Sequence, residues 1–545
     1  MAREYINGHS VLSYEYGSRA KYWGTLSGYI IERYGNNSFT EHKVVENILL
    51  DCFDFLASEF NSLVQKQTKF IFFRYVFLLH EESIKIYYET LKGFKINSEN
   101  ITENDFSIYR RILKLILEQG CEIDLESSKF PTQGELFEMN NIIQDLIYIG
   151  TWIYGFADMI AFQKMINNCH VISFDEESLI EIDWQKHYGA AYNFLFPRLG
   201  QNYSGGTYDD KATQELVDQV SKSFGIDYKT AVGLIFEIKK HHNPEDPDLQ
   251  TIEPYVLPLN LVSIFKLDIL LANQFYDGLS LKRTNKLSIF DAILKPYSTD
   301  RYLFRPILVY NIDGEERALI GKEKFAESML VLSTNALHWN AMLSDWKSNK
   351  CIQRFMSKKA DEHDRILEDK IEKILSDNEL IYHRNLKSLK TKSGQNIRID
   401  TQECGEIDFL IISKKLKTVF VAEVKYNRAR YEGIGYRNDF SNFTRDYEPK
   451  LERKKNWAKD NLLRIEDHFN CNDHSIELKD YSVQGIFLIN TPTFYMFVGN
   501  FWAITLSDLS EFFNGYSPYP ILKIETKDGS TQSVNHPYFD FIKSS

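Results

Sequence analysis

The chain is 545 residues long, more than one hydrophobic core can organise, so two to four domains are expected. Its 43% hydrophobic and 26% charged residues exclude a disordered tract, and its net charge of −12 excludes a protein that coats nucleic acid indiscriminately. Aromatic residues make up 14%, which points to large packed interiors or interfaces.

In chain order, the opening MAREYINGHSV has no apolar run behind its charges, so no secretory leader is expected. Residues 1 to about 345 read mostly as helix. EHKVVENILLDCFDFLASEFNSLV, DFSIYRRILKLILEQ and ATQELVDQVSKSF each repeat apolar residues three and four apart. The longest uncharged apolar stretch, Leu146 to Ala157, is too short to cross a bilayer and stops at Asp158, so no membrane partner is expected. Turn-rich breaks at 196–210 and 241–250 are candidate joints within this region. RPILVYNIDGEERALI reads as a short β segment ahead of a helix over EKFAESMLVLSTNALHW. There is no repeat of fixed period, which argues against a regular solenoid.

From about residue 355 the pattern changes. A charged helix, DEHDRILEDKIEKILSD, leads through ELIYHRNLKSL into a hairpin, CGEIDFLIISKKLKTVFVAEVKYNRAR. The helix YEPKLERKKNWAKDNLLRIEDHF, strands SVQGIFLI and FYMFVGNFWAIT, and the helix LSDLSEFF follow, an α/β layer pattern. The expected division is a mostly helical region over 1–350 and an α/β domain over 351–545. Residues 381–460 hold 18 Lys/Arg against 11 Asp/Glu, a basic island in an acidic chain.

The hairpin carries the chemistry. A turn at Lys415–Leu416 places Asp408 opposite Glu423 and Glu406 opposite Lys425, and paired side chains on one face stand roughly 4.5–5.5 Å apart at Cβ. Glu423 and Lys425, two apart, share that face. Two carboxylates so close must share a proton or a cation, and hard oxygen ligands favour Mg²⁺ or Mn²⁺. A lysine beside such an ion suits phosphodiester hydrolysis, by orienting or deprotonating water or by offsetting charge. The alternative is a salt-bridged edge hairpin whose charges guard against aggregation. The apolar run Val419 to Val424 around Glu423 favours a buried central strand, where unpaired charge is costly.

GEID, about fifteen residues, then AEVK resembles the core of the PD-(D/E)XK nuclease superfamily. The preceding helix resembles it too: LEDKIEKIL supplies Leu367, Glu368, Ile371 and Leu375. So does the following basic helix, YEPKLERKKNW, with Lys450 and Lys454 one turn apart. The resemblance covers roughly 355–510 and implies a restriction-endonuclease-like α/β/α domain with a central mixed sheet. It implies Asp408 and Glu423 as metal ligands, Lys425 as catalytic lysine, Glu368 as an accessory acid, and Lys450 and Lys454 as phosphate contacts. Two departures stand out: the PD dipeptide is Ile407-Asp408, and Glu372 competes with Glu368. A solvated helix face remains the alternative for the two lysines.

Other signals are weaker. The six cysteines are scattered without a CxxC pair, which fits neither a disulfide framework nor a zinc site and suits a reducing cytoplasm. His241 and His242 precede a Pro/Asp-rich stretch and read as loop. SGGTYDD at 204–210 lacks the GK[ST] of a phosphate-binding loop. The expected function is a Mg²⁺- or Mn²⁺-dependent endonuclease acting on nucleic acid, DNA before RNA, in bacterial restriction or anti-phage defence. A homodimer or larger assembly and a protein or small-molecule activator at residues 1–350 go with it. The rival readings are a catalytically inactive nucleic-acid-binding or assembly module, and a helical scaffold with a regulated nuclease output.

Overall fold

Capping boxes set two of the helix starts in the first third of the chain. Thr102 accepts from the Asp105 N–H at 3.2 Å while Asp105 accepts from the Thr102 N–H at 3.0 Å, opening the helix Glu103–Gly120. Thr132 and Glu135 repeat the device at the head of Gln133–Gln163. The computed structural model describes residues 3–6, 8–13, 16–96, 101–128, 131–201, 210–242, 251–336, 341–428, 430, 432–472, 474–516, 521–525 and 529–542.

The apolar stripes read from the sequence are the buried ones. Ile48, Phe53 and Leu56 of His42–Gln65 pack with Ile112 and Leu113 of Glu103–Gly120 and with Ile149, Ile153 and Phe156 of Gln133–Gln163. A second core gathers Leu216, Val220 and Phe224 around Phe275 and Trp346. The predicted β segment is a hairpin, Ile307–Ile312 with Glu315–Ile320, turned at Asp313 and Gly314 with positive φ. It forms a small sheet with three two-residue strands, Asp124–Leu125, Thr251–Ile252 and Ser280–Leu281. No described helix is long and apolar enough to cross a membrane.

The first predicted joint is partly helical: residues 196–201 continue the helix Tyr188–Gln201, and 202–209 lie outside the described residues. His241 and His242 end the helix Tyr228–His242; their side chains and residues 243–250 also lie outside.

The helix α1, Lys350–Asp377, starts at the expected boundary but belongs to both sides of it. Ile352 and Met356 complete the second core, whereas Leu367, Ile371 and Leu375 lie against the C-terminal sheet. That sheet contains β1 (Ile381–Leu386). A two-stranded ribbon of β2 (Ser388–Lys390) and β3 (Asn396–Arg398) follows it. The sheet continues with β4 (Ile407–Ser413) and β5 (Thr418–Lys425). Then come helices α2 (Gly433–Asn442), α3 (Glu448–Asp460) and α4 (Leu462–Asn470), and strands β6 (Ser482–Ile489) and β7 (Trp502–Thr505). The five-stranded order is β1-β4-β5-β6-β7, antiparallel through β5 and parallel from β5 to β7, a mixed sheet.

Alternation along the strands builds two cores. Phe409, Ile411, Phe420 and Ala422 face α1, while Leu410, Ile412, Val419 and Val421 face Leu451 and Ala458 of α3 and Ile465 of α4. The result is three layers, helix on sheet on helix. FYMFVGNFWAIT is not one strand: Tyr495–Val498 is a helical turn and only Trp502–Thr505 is extended. Its consecutive aromatics serve different cores, Tyr495 the sheet and Phe494 and Phe497 a cluster with Phe162, Met165 and Tyr188, so a two-residue alternation does not suit them. The chain's last described segment returns to the helical region, with Tyr538, Phe539 and Phe541 in that same cluster.

Candidate active site on the central strands

The hairpin register is the one the residue spacing demands, running from Phe409 paired with Ala422 to Ser413 paired with Thr418. The turn takes four residues, 414–417, rather than two, and ends on Lys417 with φ of 47°. Lengthening it by one residue on each side leaves the register unchanged. Asp408 and Glu423 are the next positions along this pairing. β5 is also flanked by β6, with Glu423 beside Phe487, so Glu423 stands on a central strand and is 5% exposed.

The three candidate residues share the α3 face of the sheet. Asp408 Oδ2 accepts from the Val424 N–H at 2.7 Å, which fixes the carboxylate against β5. The Lys425 ammonium donates to Glu423 Oε2 at 3.0 Å, and its Nζ lies 5.0 Å from the ring centre of Tyr447. Lys454 donates to Glu423 Oε1 from α3. Burial, then the charge of Glu423, pushes the Asp408 carboxyl up to about 6. Burial opposes ionisation of Glu423 as well, but Lys425 and Lys454 outweigh it and hold that carboxyl below its ordinary value. Burial likewise disfavours the Lys425 charge, and Glu423 and Asp408 overcome it, so the ammonium titrates above the usual lysine range.

The remaining candidates are placed differently. Glu406 pairs with Lys387 at 3.2 Å rather than with Lys425. Glu368 is held by Arg384, whose Nε and Nη2 donate to Oε2 at 3.0 and 2.8 Å, and by the Asn385 amide at 3.3 Å. The same guanidinium binds Asp369 and the competing Glu372. No hydrogen bond or ion pair among the described residues joins Glu368 to Asp408, Glu423 or Lys425, because α1 packs on the other face of the sheet. Lys450 is exposed on α3. Lys454, although one turn away, is 7% exposed and turned inward.

Lys454, expected as a phosphate contact, is instead the buried partner of Glu423. A signal existed: Leu451, Lys454 and Ala458 form the buried stripe of α3, at intervals of three and four. Asp364, one turn before Glu368, has its carboxyl raised by burial and by Glu368, with Lys425 acting in the opposite sense, and its side chain is largely exposed.

All six cysteines are free, and four are buried. Comparison of the chain with protein-family models, with curated proteins and with solved structures finds no match.

Proposed function

We propose that residues 351–545 form a restriction-endonuclease-like, metal-dependent endonuclease that hydrolyses phosphodiester bonds of nucleic acid, DNA before RNA. One observation carries this reading: Asp408 and Lys425, half-buried, and Glu423, buried, converge on neighbouring positions of two paired strands. Charge in a central strand is costly and is retained where it performs a task.

The residues fit Mg²⁺ or Mn²⁺. Two adjacent carboxylates form a hard-oxygen donor pair, and such ions ordinarily complete their shell with water and substrate phosphate. The raised Asp408 carboxyl is the electrostatic deficit that a divalent cation relieves. Among the described residues no group of three or more His, Cys, Asp or Glu is arranged around a metal position, so Asp408 and Glu423 would be the protein's share of the shell. When bound, the ion lowers the pKa of a water and offsets charge on the phosphate.

The chain's own groups do the rest. Lys425, protonated at neutral pH, acts as a fixed cation that donates to a phosphate oxygen as negative charge grows on it. Lys454 keeps Glu423 ionised. The Val424 N–H orients Asp408. A large region joined to such a domain fits a restriction or anti-phage effector that is assembled or activated through residues 1–350, by analogy alone. One observation favours the second reading, an inactive binding or assembly module: ammoniums engage both oxygens of Glu423.

The test is cleavage of plasmid, linear duplex, single-stranded DNA and RNA with Mg²⁺, Mn²⁺ or EDTA. Metal-dependent cutting that disappears in Glu423→Ala establishes the nuclease. No cutting, together with no metal binding that depends on Asp408 and Glu423, leaves the inactive module.

A further inference from the structure

The fold decides which cations of the basic island are available to a polyanion. Lys414, Lys415 and Lys417 stand at the β4–β5 turn, the end of the sheet away from Asp408 and Glu423. Lys454 is buried on Glu423, Arg384 is held by three carboxylates, and Arg430 is paired with Asp439. The cations that remain exposed near the site lie on α3, as Lys450 and Arg453, and in the β2–β3 ribbon. From Glu379 to Asp400 there is no acidic residue, and Lys387, Lys390, Lys392 and Arg398 all lie between them.

The ribbon has two distinct faces. Its pairs are Ser388 with Arg398, Leu389 with Ile397, and Lys390 with Asn396. Leu389 is buried in the core under α4, so the alternate positions Ser388, Lys390, Asn396 and Arg398 form the outward face. The tip adds exposed Lys392, Ser393 and Gln395. Cations, amides and hydroxyls make up this surface, the side chains that contact phosphates and base edges.

The ribbon is anchored and aimed. The Lys390 N–H donates to His468 Nδ1 of α4 at 2.9 Å, and the Thr391 N–H to the Gln395 carbonyl at 2.9 Å closes the tip around Gly394 with φ of 80°. At the root, Leu386 pairs with Ile407 and Lys387 meets Glu406, two residues from Asp408. With a strand rise of about 3.3 Å per residue, the outward face begins on the order of 10 Å from the carboxylates. Lys387, Lys392 and Arg398 pair with Glu406, Asp467 and Asp400, but their side chains are 61%, 72% and 77% exposed, and such pairs exchange readily for phosphate.

We infer that the β2–β3 ribbon is the substrate-gripping element of this site and enters the major groove of a B-form DNA duplex. The B-form major groove, about 12 Å wide, admits a two-stranded ribbon, whereas the A-form groove of duplex RNA is too narrow. The inference rests on the nuclease reading for its purpose, not for its geometry.

The experiment measures binding of a fluorescein-labelled DNA duplex, the matching RNA duplex and the single strands to the full chain in EDTA, across a salt series. Lys390→Ala/Lys392→Ala/Arg398→Ala is expected to bind the DNA duplex at least about tenfold more weakly, with a salt slope smaller by about two to three, and to melt as wild type does. The arginine version, Lys390→Arg/Lys392→Arg, is expected to bind normally and serves as the reference if the alanine variant melts early. Equal affinity and slope in the alanine variant overturn the inference, as does equal or tighter binding of duplex RNA. Ribbon-dependent binding with neither Mg²⁺-dependent cutting nor metal binding that depends on Asp408 and Glu423 overturns the nuclease reading and leaves the ribbon standing. Cutting that is indifferent to the ribbon substitutions does the reverse.

Discussion

The Lys454 ammonium on α3 is paired with Oε1 of Glu423 on β5, and both side chains are buried. Lys454 therefore acts on the site through Glu423, while its neighbour Lys450 faces solvent. Replacing Lys454 by Met leaves a buried carboxylate with only Lys425 beside it. We expect a loss of about 3 kcal/mol, read as a fall of a few degrees in melting temperature, and an unchanged salt slope for nucleic-acid binding. Lys450→Ala should do the opposite, leaving melting alone and lowering the slope by about one.

Asp408 predicts a dependence on pH and metal. Its folded-state pKa of about 6 lies above the value of about 4 in an unfolded chain, so between them the folded protein binds the extra proton. The associated stability is complete below the unfolded value and is lost as pH rises through 6, a change of roughly 2–3 kcal/mol. Glu423, held low, works in the other sense and loses its contribution only in acid. Asp408→Asn should thus melt higher than wild type at neutral pH, with the gap closing toward about pH 4. Added Mg²⁺ should raise the melting temperature of wild type at neutral pH and not that of the variant. Differential scanning fluorimetry across pH, with and without Mg²⁺, checks both.

Arg384 holds Glu368, Asp369 and Glu372 together. Arg384→Leu removes their shared counter-charge and should cost about 2 kcal/mol, measured by thermal melting. Glu368→Gln should retain cleavage within about tenfold of wild type, because its carboxylate is committed to Arg384 and Asn385, whereas Asp408→Ala should abolish cleavage. Cleavage rates of the two variants side by side decide this.

A fragment of residues 351–545 should not behave as an independent domain. It exposes Phe494, Phe497, Tyr538, Phe539 and Phe541, which pack on Phe162, Met165, Ile166 and Tyr188 in the whole chain. It also frees Gly433 and Ile434 from Asp158, whose Oδ1 accepts from the Ile434 N–H at 3.3 Å. We expect aggregation on expression, checked by size-exclusion chromatography. A monodisperse, active fragment would show this apolar contact to be dispensable.

Local and short-range physics explains what could be read early. Helix periodicity and caps such as Thr102 and Thr132 depend on residues three or four apart, and hairpin register depends on alternation and a short turn. That is why Asp408 and Glu423 could be set opposite each other from spacing alone. FYMFVGNFWAIT misled for the converse reason: its aromatics divide between two cores distant in sequence, and no local period encodes that division.

The sequence by itself determined the mostly helical character of the described residues up to about 345, the α/β alternation after 355, and the pairing of acid with acid and lysine on one hairpin. Those properties follow from side-chain period and backbone geometry within a few dozen residues. Only the tertiary structure decided that Lys454 turns inward to Glu423, that Arg384 takes Glu368 away on the opposite face, and that the ribbon keeps its cations exposed. Charged side chains choose partners by distance and burial, and both are set by contacts between segments that the linear order leaves apart.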